Sequence, residues 1–119
     1  MGMTIAEKIM ARHADRAEVR PGEYIWCNVD ATSGHVLRVI ERLGVEKVWD
    51  PEKIFVVEDH LAPPPTVAAA NSAKDMRRLV KKYGIKNFFE YGRGGILHQV
   101  FAERGMFAPG ELVAMGDSH

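Results

Sequence analysis

The run Ile54-Phe55-Val56-Val57 is apolar at all four positions and constrains the fold more than any other stretch of the sequence. A strand with one solvated face alternates apolar and polar residues, whereas a continuous apolar run of this length is typical of a strand buried on both faces. Such strands lie in parallel sheets, whose crossover connections place helices on both faces. The run therefore predicts an α/β fold with helices covering a mostly parallel sheet.

Helix and strand signals alternate along the chain on both sides of that run. Thr4 and Glu7 predict a capping box for the first helix, and Gly44 and Gly84 predict the ends of two later helices. The expected order is a helix to about residue 14, strand 24–29, a helix from Val36 capped by Thr32-Ser33, strand 54–57, helix 66–83, strand 87–91, helix 96–103 and strand 112–115. This alternation predicts one α/β domain over residues 1–119, with a three-layer, mostly parallel sheet flanked by helices.

The composition bears on partners and location. Sixteen basic residues balance sixteen acidic ones, which argues against nucleic acid or an anionic membrane as the main partner. No stretch approaches the roughly 20 apolar residues of a membrane helix. The single cysteine, Cys27, excludes an internal disulfide and is typical of a reducing compartment. We therefore expect a cytoplasmic protein with no nucleic-acid or membrane partner.

Polar clusters follow the last three predicted strands. Glu58-Asp59-His60 follows the apolar run, the glycine-rich loop 92–95 precedes a helix that carries His98, and Gly116-Asp117-Ser118-His119 follows the last strand. In open α/β sheets, ligands bind outside the carboxyl ends of the strands. The three clusters are therefore expected to form one site.

The residue types in these clusters suit proton transfer. A carboxylate next to an imidazole fixes its tautomer and makes it more basic, so that it transfers protons near neutral pH. Histidine and aspartate are also ligands for first-row metals, although the sequence has no H-x-x-x-H or C-x-x-C spacing. The 92–95 loop is either a flexible turn or a helix N-terminus that favours an anion.

Several longer stretches carry a resemblance to a known family. They read MTIAEKIMARHA, VEKVWDPEKIFVVEDHLAPPP, GIKNFFEYGRGGILHQVFAERGMFAPGELVAMGDSH and, more weakly, VDATSGH. In this order they resemble the N-terminal part of the aconitase family, most of all the large subunit of 3-isopropylmalate dehydratase and homoaconitase. The resemblance covers nearly the whole chain, and its D-H, G-I-x-H-Q and G-D-S-H motifs are specific.

The resemblance implies an enzyme, a hydro-lyase that dehydrates and rehydrates a hydroxy di- or tricarboxylic acid similar to 3-isopropylmalate. Family members hold a [4Fe–4S] cluster through three cysteines, and the open iron binds the substrate hydroxyl. The partners implied are the hydroxy-carboxylate substrate, the rest of the large subunit, and a small subunit or swivelling domain. The chain is then expected to be a fragment of a longer protein.

The same resemblance implies roles for individual residues. His60 pairs with Asp59 and assists the leaving hydroxyl, while His98 pairs with Asp117. The implied catalytic residues are Asp59, His60, His98, Asp117 and His119, and the implied substrate-binding residues are Ser118 and Thr32. None of them is implied as a metal ligand.

Two departures from the family pattern keep other functions open. Val29 stands where relatives usually place Gln or His before the D-x-T stretch, and Cys27 is alone where three cluster cysteines are needed. No cluster is therefore expected to be ligated by this chain itself. One alternative is a cluster-free α/β binding or regulatory module that is inactive alone. A second is a mononuclear metal hydrolase that uses the three histidines and two aspartates of the clusters, His60, His98, His119, Asp59 and Asp117.

Overall fold

A computed structural model describes residues 2–117, in which helices and strands alternate. The helices are α1 (Ile5–His13), α2 (Val36–Arg42), α3 (Val67–Tyr83) and α4 (Leu97–Glu103). The strands are β1 (Ala31–Ser33), β2 (Ile54–Val57), β3 (Asn87–Phe89) and β4 (Val113–Ala114). The predicted alternation is confirmed.

The strands form one parallel sheet in the spatial order β3-β2-β1-β4. In the register of β2, Ile54 lies opposite Thr32 of β1, and Val56 lies opposite Phe88 of β3. β4 pairs with the other side of β1, so the direction of winding reverses between β1 and β4. Because all strands are parallel, their carboxyl ends share one edge of the sheet, as the α/β prediction requires.

Side chains of β2 enter two separate apolar layers. Ile54 and Val56 pack in a core with Leu79 of α3, while Phe55 packs with Phe101 of α4 in a second core. The rings of Phe55 and Phe101 meet edge to face, with centroids 5.1 Å apart. The apolar run is therefore buried on both faces, and the predicted three-layer arrangement is confirmed.

The predicted helix caps have the expected geometry. Thr4 Oγ1 accepts from the Glu7 N–H at 3.2 Å, and the Glu7 carboxylate accepts from the Thr4 N–H at 2.6 Å. Thr66 Oγ1 accepts from the Ala69 N–H at 3.1 Å at the start of α3. Gly84 ends α3 with a φ of 67°, a left-handed conformation that favours glycine.

The strand predicted at 24–29 is wrong. This segment lies outside every strand of the described chain, and the strand of this region is β1, a few residues later. Aromatic and β-branched residues fit a half-buried pleated surface, whereas β1 lies inside the sheet between β2 and β4. Thr32 and Ser33 are therefore strand residues, not the predicted cap, and α2 follows His35 without a side-chain cap.

A shielded histidine attaches α1 to the sheet. His13 Nδ1 donates to the Ile9 carbonyl at 2.7 Å, and Nε2 donates to Asp30 Oδ2 at 2.6 Å. Asp30 Oδ2 also accepts from the Leu112 N–H at 2.8 Å, just before β4. The Ile9 carbonyl, followed by the Asp30 carboxylate, raises the pKa of His13 because both accept from the protonated ring.

The remaining elements are close to their predicted bounds. β3 ends at Phe89 instead of residue 91, and β4 covers only Val113–Ala114. Within residues 2–117, no helix combines the length and the apolar character needed to cross a bilayer.

Candidate functional site

Titratable side chains gather where the parallel strands end. Asp59 and His60 follow β2, Asp117 follows β4, and His98 lies in the first turn of α4, after β3 and the glycine-rich loop. The structure brings these four predicted site residues together at the carboxyl edge of the sheet. Ser118 and His119 lie outside the described residues.

Asp59 joins the end of β2 to the start of α4. Its Oδ1 accepts from His60 Nδ1 at 2.7 Å, and its Oδ2 accepts from the Leu97 N–H at 2.7 Å. The anion at this helix start is therefore the carboxylate of Asp59 itself. Only 11% of the Asp59 side chain is exposed, so the carboxylate is held on both oxygens in a shielded position.

The hydrogen bonds of this pair determine its charge state. Burial by itself would raise the pKa of Asp59, but hydrogen bonds from His60 and the Leu97 N–H outweigh it and lower that pKa. The hydrogen bond to Asp59 is the main cause that raises the pKa of His60, and Asp117 adds to it. The geometry thus favours an ionised Asp59 and a His60 that retains its proton further towards neutral pH.

Asp117 lies between two imidazoles. Its Oδ1 is 3.6 Å from His60 Nε2, and its Oδ2 is 3.7 Å from His98 Nδ1. Both distances are within ion-pair range but longer than a hydrogen bond. The Asp117 side chain is 6% exposed, whereas those of His60 and His98 are 62% and 40% exposed. The carboxylates are shielded and the imidazoles face outwards, an arrangement suited to proton exchange with a ligand above the sheet edge.

A second depression lies where the winding of the sheet reverses. Thr32, Ser33 and His35 from the β1 side and Gly116 after β4 line part of a depression of about 260 Å³. Ser33 Oγ accepts from the Gly116 N–H at 3.2 Å and lies 3.5 Å from His35 Nδ1. Thr32, a predicted substrate-binding residue, is 8% exposed and lines this depression, not the cavity beside His60. Such reversal points are the usual ligand crevices of open parallel sheets.

Glu58 belongs to the polar cluster predicted after β2, but the sequence reasoning gave it no site role and did not predict that its carboxylate is shielded behind His60. Arg38, Glu58 and His60 line part of a cavity of about 130 Å³ between the ends of β1 and β2 and helix α3. The Glu58 side chain is 6% exposed, and its Oε2 accepts no hydrogen bond although Arg77 Nη1 lies 3.8 Å away. Burial raises the pKa of this carboxyl. The signal was available, because Glu58 continues the alternation of Ile54 and Val56 towards the α3 face.

The residues of this chain do not fit a [4Fe–4S] cluster by themselves. Such a cluster is bound by cysteine thiolates, and Cys27 is the only cysteine of the 119 residues. Its Sγ lies 3.7 Å from the Met10 carbonyl, next to α1 and before the sheet begins. Among residues 2–117, no three His, Cys, Asp or Glu side chains are grouped so that they could hold a metal ion.

Curated proteins of one kind are similar to the whole chain. The 3-isopropylmalate dehydratase large subunit of Aquifex aeolicus is 45% identical, over 100% of this chain and 29% of its own length. That of Thermodesulfovibrio yellowstonii is 46% identical, over 100% and 30%, and large subunit 1 of Pyrococcus furiosus is 44% identical, over 99% and 29%. No protein-family model matches. The predicted resemblance is confirmed, and the chain spans about 30% of these relatives, in their N-terminal part.

Proposed function

We propose that this chain is the N-terminal segment of the large subunit of an aconitase-type hydro-lyase. The enzyme would remove water from a hydroxy di- or tricarboxylic acid similar to 3-isopropylmalate, and add it back. The similarity to dehydratase large subunits along the whole chain supports this function. The structural observation that carries it is the Asp117 carboxylate between the imidazoles of His60 and His98, next to the Asp59–His60 pair.

In this proposal His60 moves the proton of the leaving hydroxyl. Asp59 accepts from Nδ1 and so fixes the ring, which leaves Nε2 as the nitrogen that exchanges a proton. In dehydration the C–O bond breaks, His60 donates its proton to the departing oxygen, and a base takes the proton from the neighbouring carbon as the double bond forms. Hydration reverses each transfer. Asp117 supports the charge on His60 and orients His98.

The cofactor and partners are proposed for the longer protein. A [4Fe–4S] cluster would supply Lewis acidity, but its thiolates would come from polypeptide other than these 119 residues, because Cys27 is alone. A small subunit or swivelling domain would complete the site, because the relatives are named as large subunits. Ser118, His119 and Thr32 remain predicted contributors, and the cytoplasmic location remains a prediction.

A chimaera tests the proposal. These 119 residues replace the matching N-terminal part of the Aquifex aeolicus large subunit, which is assembled anaerobically with its small subunit. Turnover of 3-isopropylmalate and related hydroxy acids is followed by the absorbance of the unsaturated product. We expect turnover in the chimaera and its loss in the Asp59→Asn and His60→Ala variants. A folded, cluster-containing chimaera without turnover of any hydroxy acid would overturn the proposal.

The lone Cys27 favours a second candidate for the chain by itself, a cluster-free module that binds hydroxy acids without reacting. We expect no dehydratase activity from the isolated chain after anaerobic treatment with iron and sulfide. NMR titration with 3-isopropylmalate separates the two candidates. Tight binding by the isolated chain favours a binding module, and weak or no binding favours a segment that needs the remaining polypeptide. A stable cubane cluster in the isolated chain would contradict the expectation of no activity.

A further inference from the structure

Two aromatic side chains stand fully in solvent on the segment that precedes β1. Tyr24 and Trp26 have relative exposures of 104% and 97%. Ile25 and Cys27, which alternate with them, are partly buried. In an extended segment, alternate side chains point to opposite faces, and those two residues apart lie about 6–7 Å apart on one face. The segment 24–27 therefore has an inner face on this domain and an outer aromatic face.

The backbone of the same segment is also unpaired. Hydrogen bonds link Glu23 to Arg20 before it and Asn28 to His13 after it. Between them, the N–H and C=O groups of residues 24–27 make no hydrogen bond within the described part of the chain. An extended segment with free backbone groups is a template for an added strand. The aromatic side chains would then supply apolar contacts alongside the backbone pairing.

We propose that segment 24–27 is the docking site for a β-strand contributed by the remaining polypeptide of the large subunit, with apolar side chains that cover Tyr24 and Trp26. This inference rests on the proposed function, since it requires a longer parent chain. The relatives supply such polypeptide, because this chain spans only 29–30% of their length.

The size of the surface favours an occupant from the same polypeptide over a second copy. A Tyr and a Trp bury about 150–250 Å² each, so the two supply roughly 300–500 Å². A stable complex between separate proteins needs about 800 Å² per partner. A strand on the same polypeptide docks at an effective concentration of about millimolar and needs less area. For a strand tethered in this way, backbone pairing along four residues is enough to hold it in place.

Hydrogen exchange measured by mass spectrometry tests the docking in the isolated chain and in the chimaera described above. In the isolated chain the amides of 24–27 should exchange at the rate of an unstructured peptide. In the chimaera their exchange should slow by about 100-fold or more, as for amides in a paired strand. Residues 46–50 form no helix or strand, and their N–H groups donate no hydrogen bond within the described part of the chain; they are the internal control and should exchange rapidly in both. Equal rates for 24–27 in both proteins would overturn the proposal.

A variant keeps the test independent of whether the chimaera assembles. Because Tyr24 and Trp26 are fully exposed in the isolated chain, the Tyr24→Ser/Trp26→Ser variant should unfold at the same urea concentration as the wild-type chain. A lowered midpoint would show that these side chains already pack within the domain, and would overturn the proposal. Protection of 24–27 that appears in the isolated chain as its concentration rises would assign the surface to a second copy, and would equally overturn it.

Turnover by the chimaera and protection of its residues 24–27 are independent results, so the proposed function and the docking site can fail separately. A chimaera that protects 24–27 but turns over no hydroxy acid would support the docking site and contradict the hydro-lyase function. A chimaera that turns over substrate while 24–27 exchanges rapidly would support the function and overturn the docking site.

Discussion

Replacing Gly34 with alanine should destabilise the fold at the turn from β1 into α2, directly beside the candidate site. A Cβ added to Gly34 would lie 2.5 Å from Val56 Cγ2 and 3.1 Å from Val56 Cβ, closer than carbon atoms approach without displacement. Val56 is 3% exposed in the core between the sheet and α3, and the Gly34 N–H donates to the Phe55 carbonyl at 2.9 Å. The Val56 side chain is β-branched and stiff at χ1, and the hydrogen bond to Phe55 holds the Gly34 backbone, so relief of the contact requires packed atoms to shift.

The structure gives a magnitude and a compensating change. Overpacking of this kind costs about 1–3 kcal/mol of unfolding free energy. Val56→Ala alone removes two buried methyl groups and should cost about 2 kcal/mol, at ~0.8 kcal/mol per group with a small cavity term. In the double variant the methyl group added to Gly34 occupies the space that the Val56 side chain leaves. The double variant should therefore lose about 2 kcal/mol, less than the sum of the single changes.

Urea unfolding followed by circular dichroism measures all four proteins, provided that the m-values agree. Gly95→Ala is the matched control, because its added Cβ would meet only Val100 Cγ2, at an ordinary 3.5 Å. That control should change stability by less than ~1 kcal/mol. A Gly34→Ala chain as stable as wild type would refute the reasoning. So would a double variant whose loss equals the sum of the single losses.

Three further expectations concern titratable groups. Asp59→Asn should lower the pKa of His60, seen in an NMR titration of its ring, because the Asp59 hydrogen bond is the main cause of the raised value; an unchanged pKa would contradict this. Glu58→Met should raise the unfolding free energy at pH 7 by about 1–3 kcal/mol, because it removes a buried oxygen without a hydrogen bond. Since the folded pKa of Glu58 is raised, the part of this gain that comes from removing a buried charge should be lost as the pH falls through the folded pKa towards the unfolded value; a gain that stayed constant in urea unfolding at several pH values would contradict this. Asp30→Asn should cost more stability at pH 6 than at pH 9. The raised folded pKa of His13 stabilises the fold below the unfolded pKa of this histidine, and the contribution is lost as the pH rises through the folded pKa. Equal losses at the two pH values in urea unfolding would count against this.

The parallel sheet and the place of its polar clusters could be predicted because both depend on local patterns. The apolar run of β2 requires cover on both faces, and parallel strands bring the residues that follow them to one edge. To predict that Asp59, His60 and Asp117 lie at the same edge of the sheet, it was enough that they directly follow two of its strands. Their mutual distances follow from the pairing of β1 with both β2 and β4.

The features that were missed depend on contacts between distant parts of the chain. His13 and Asp30 are 17 residues apart, and Asp30 and Leu112 are 82 apart, so no spacing rule links them. β1 was missed for a related reason, because it is only three residues long, Thr32 is its one residue with high strand propensity, and its place is fixed by the two strands that flank it. Glu58 is different. The two-residue period of Ile54 and Val56 predicts that the Glu58 side chain points towards α3, but only the structure shows that its Oε2 accepts no hydrogen bond.

At the candidate site the carboxylates are shielded but the imidazoles are exposed, and the proposed proton transfer needs imidazoles that are shielded from water as well. A shielded carboxylate is costly unless it is paired, so folding itself must assemble Asp59 and Asp117 with their imidazoles, whether or not a ligand is present. An imidazole that is 62% exposed, as in His60, exchanges protons with bulk water as readily as with a substrate. Directed proton transfer at His60 needs a cover that excludes water, and the shallow depressions at this edge do not supply one within residues 2–117. If the proposed function holds, the orientation of His60 and Asp59 is set within this chain, and selectivity for a substrate would depend on further polypeptide that covers them.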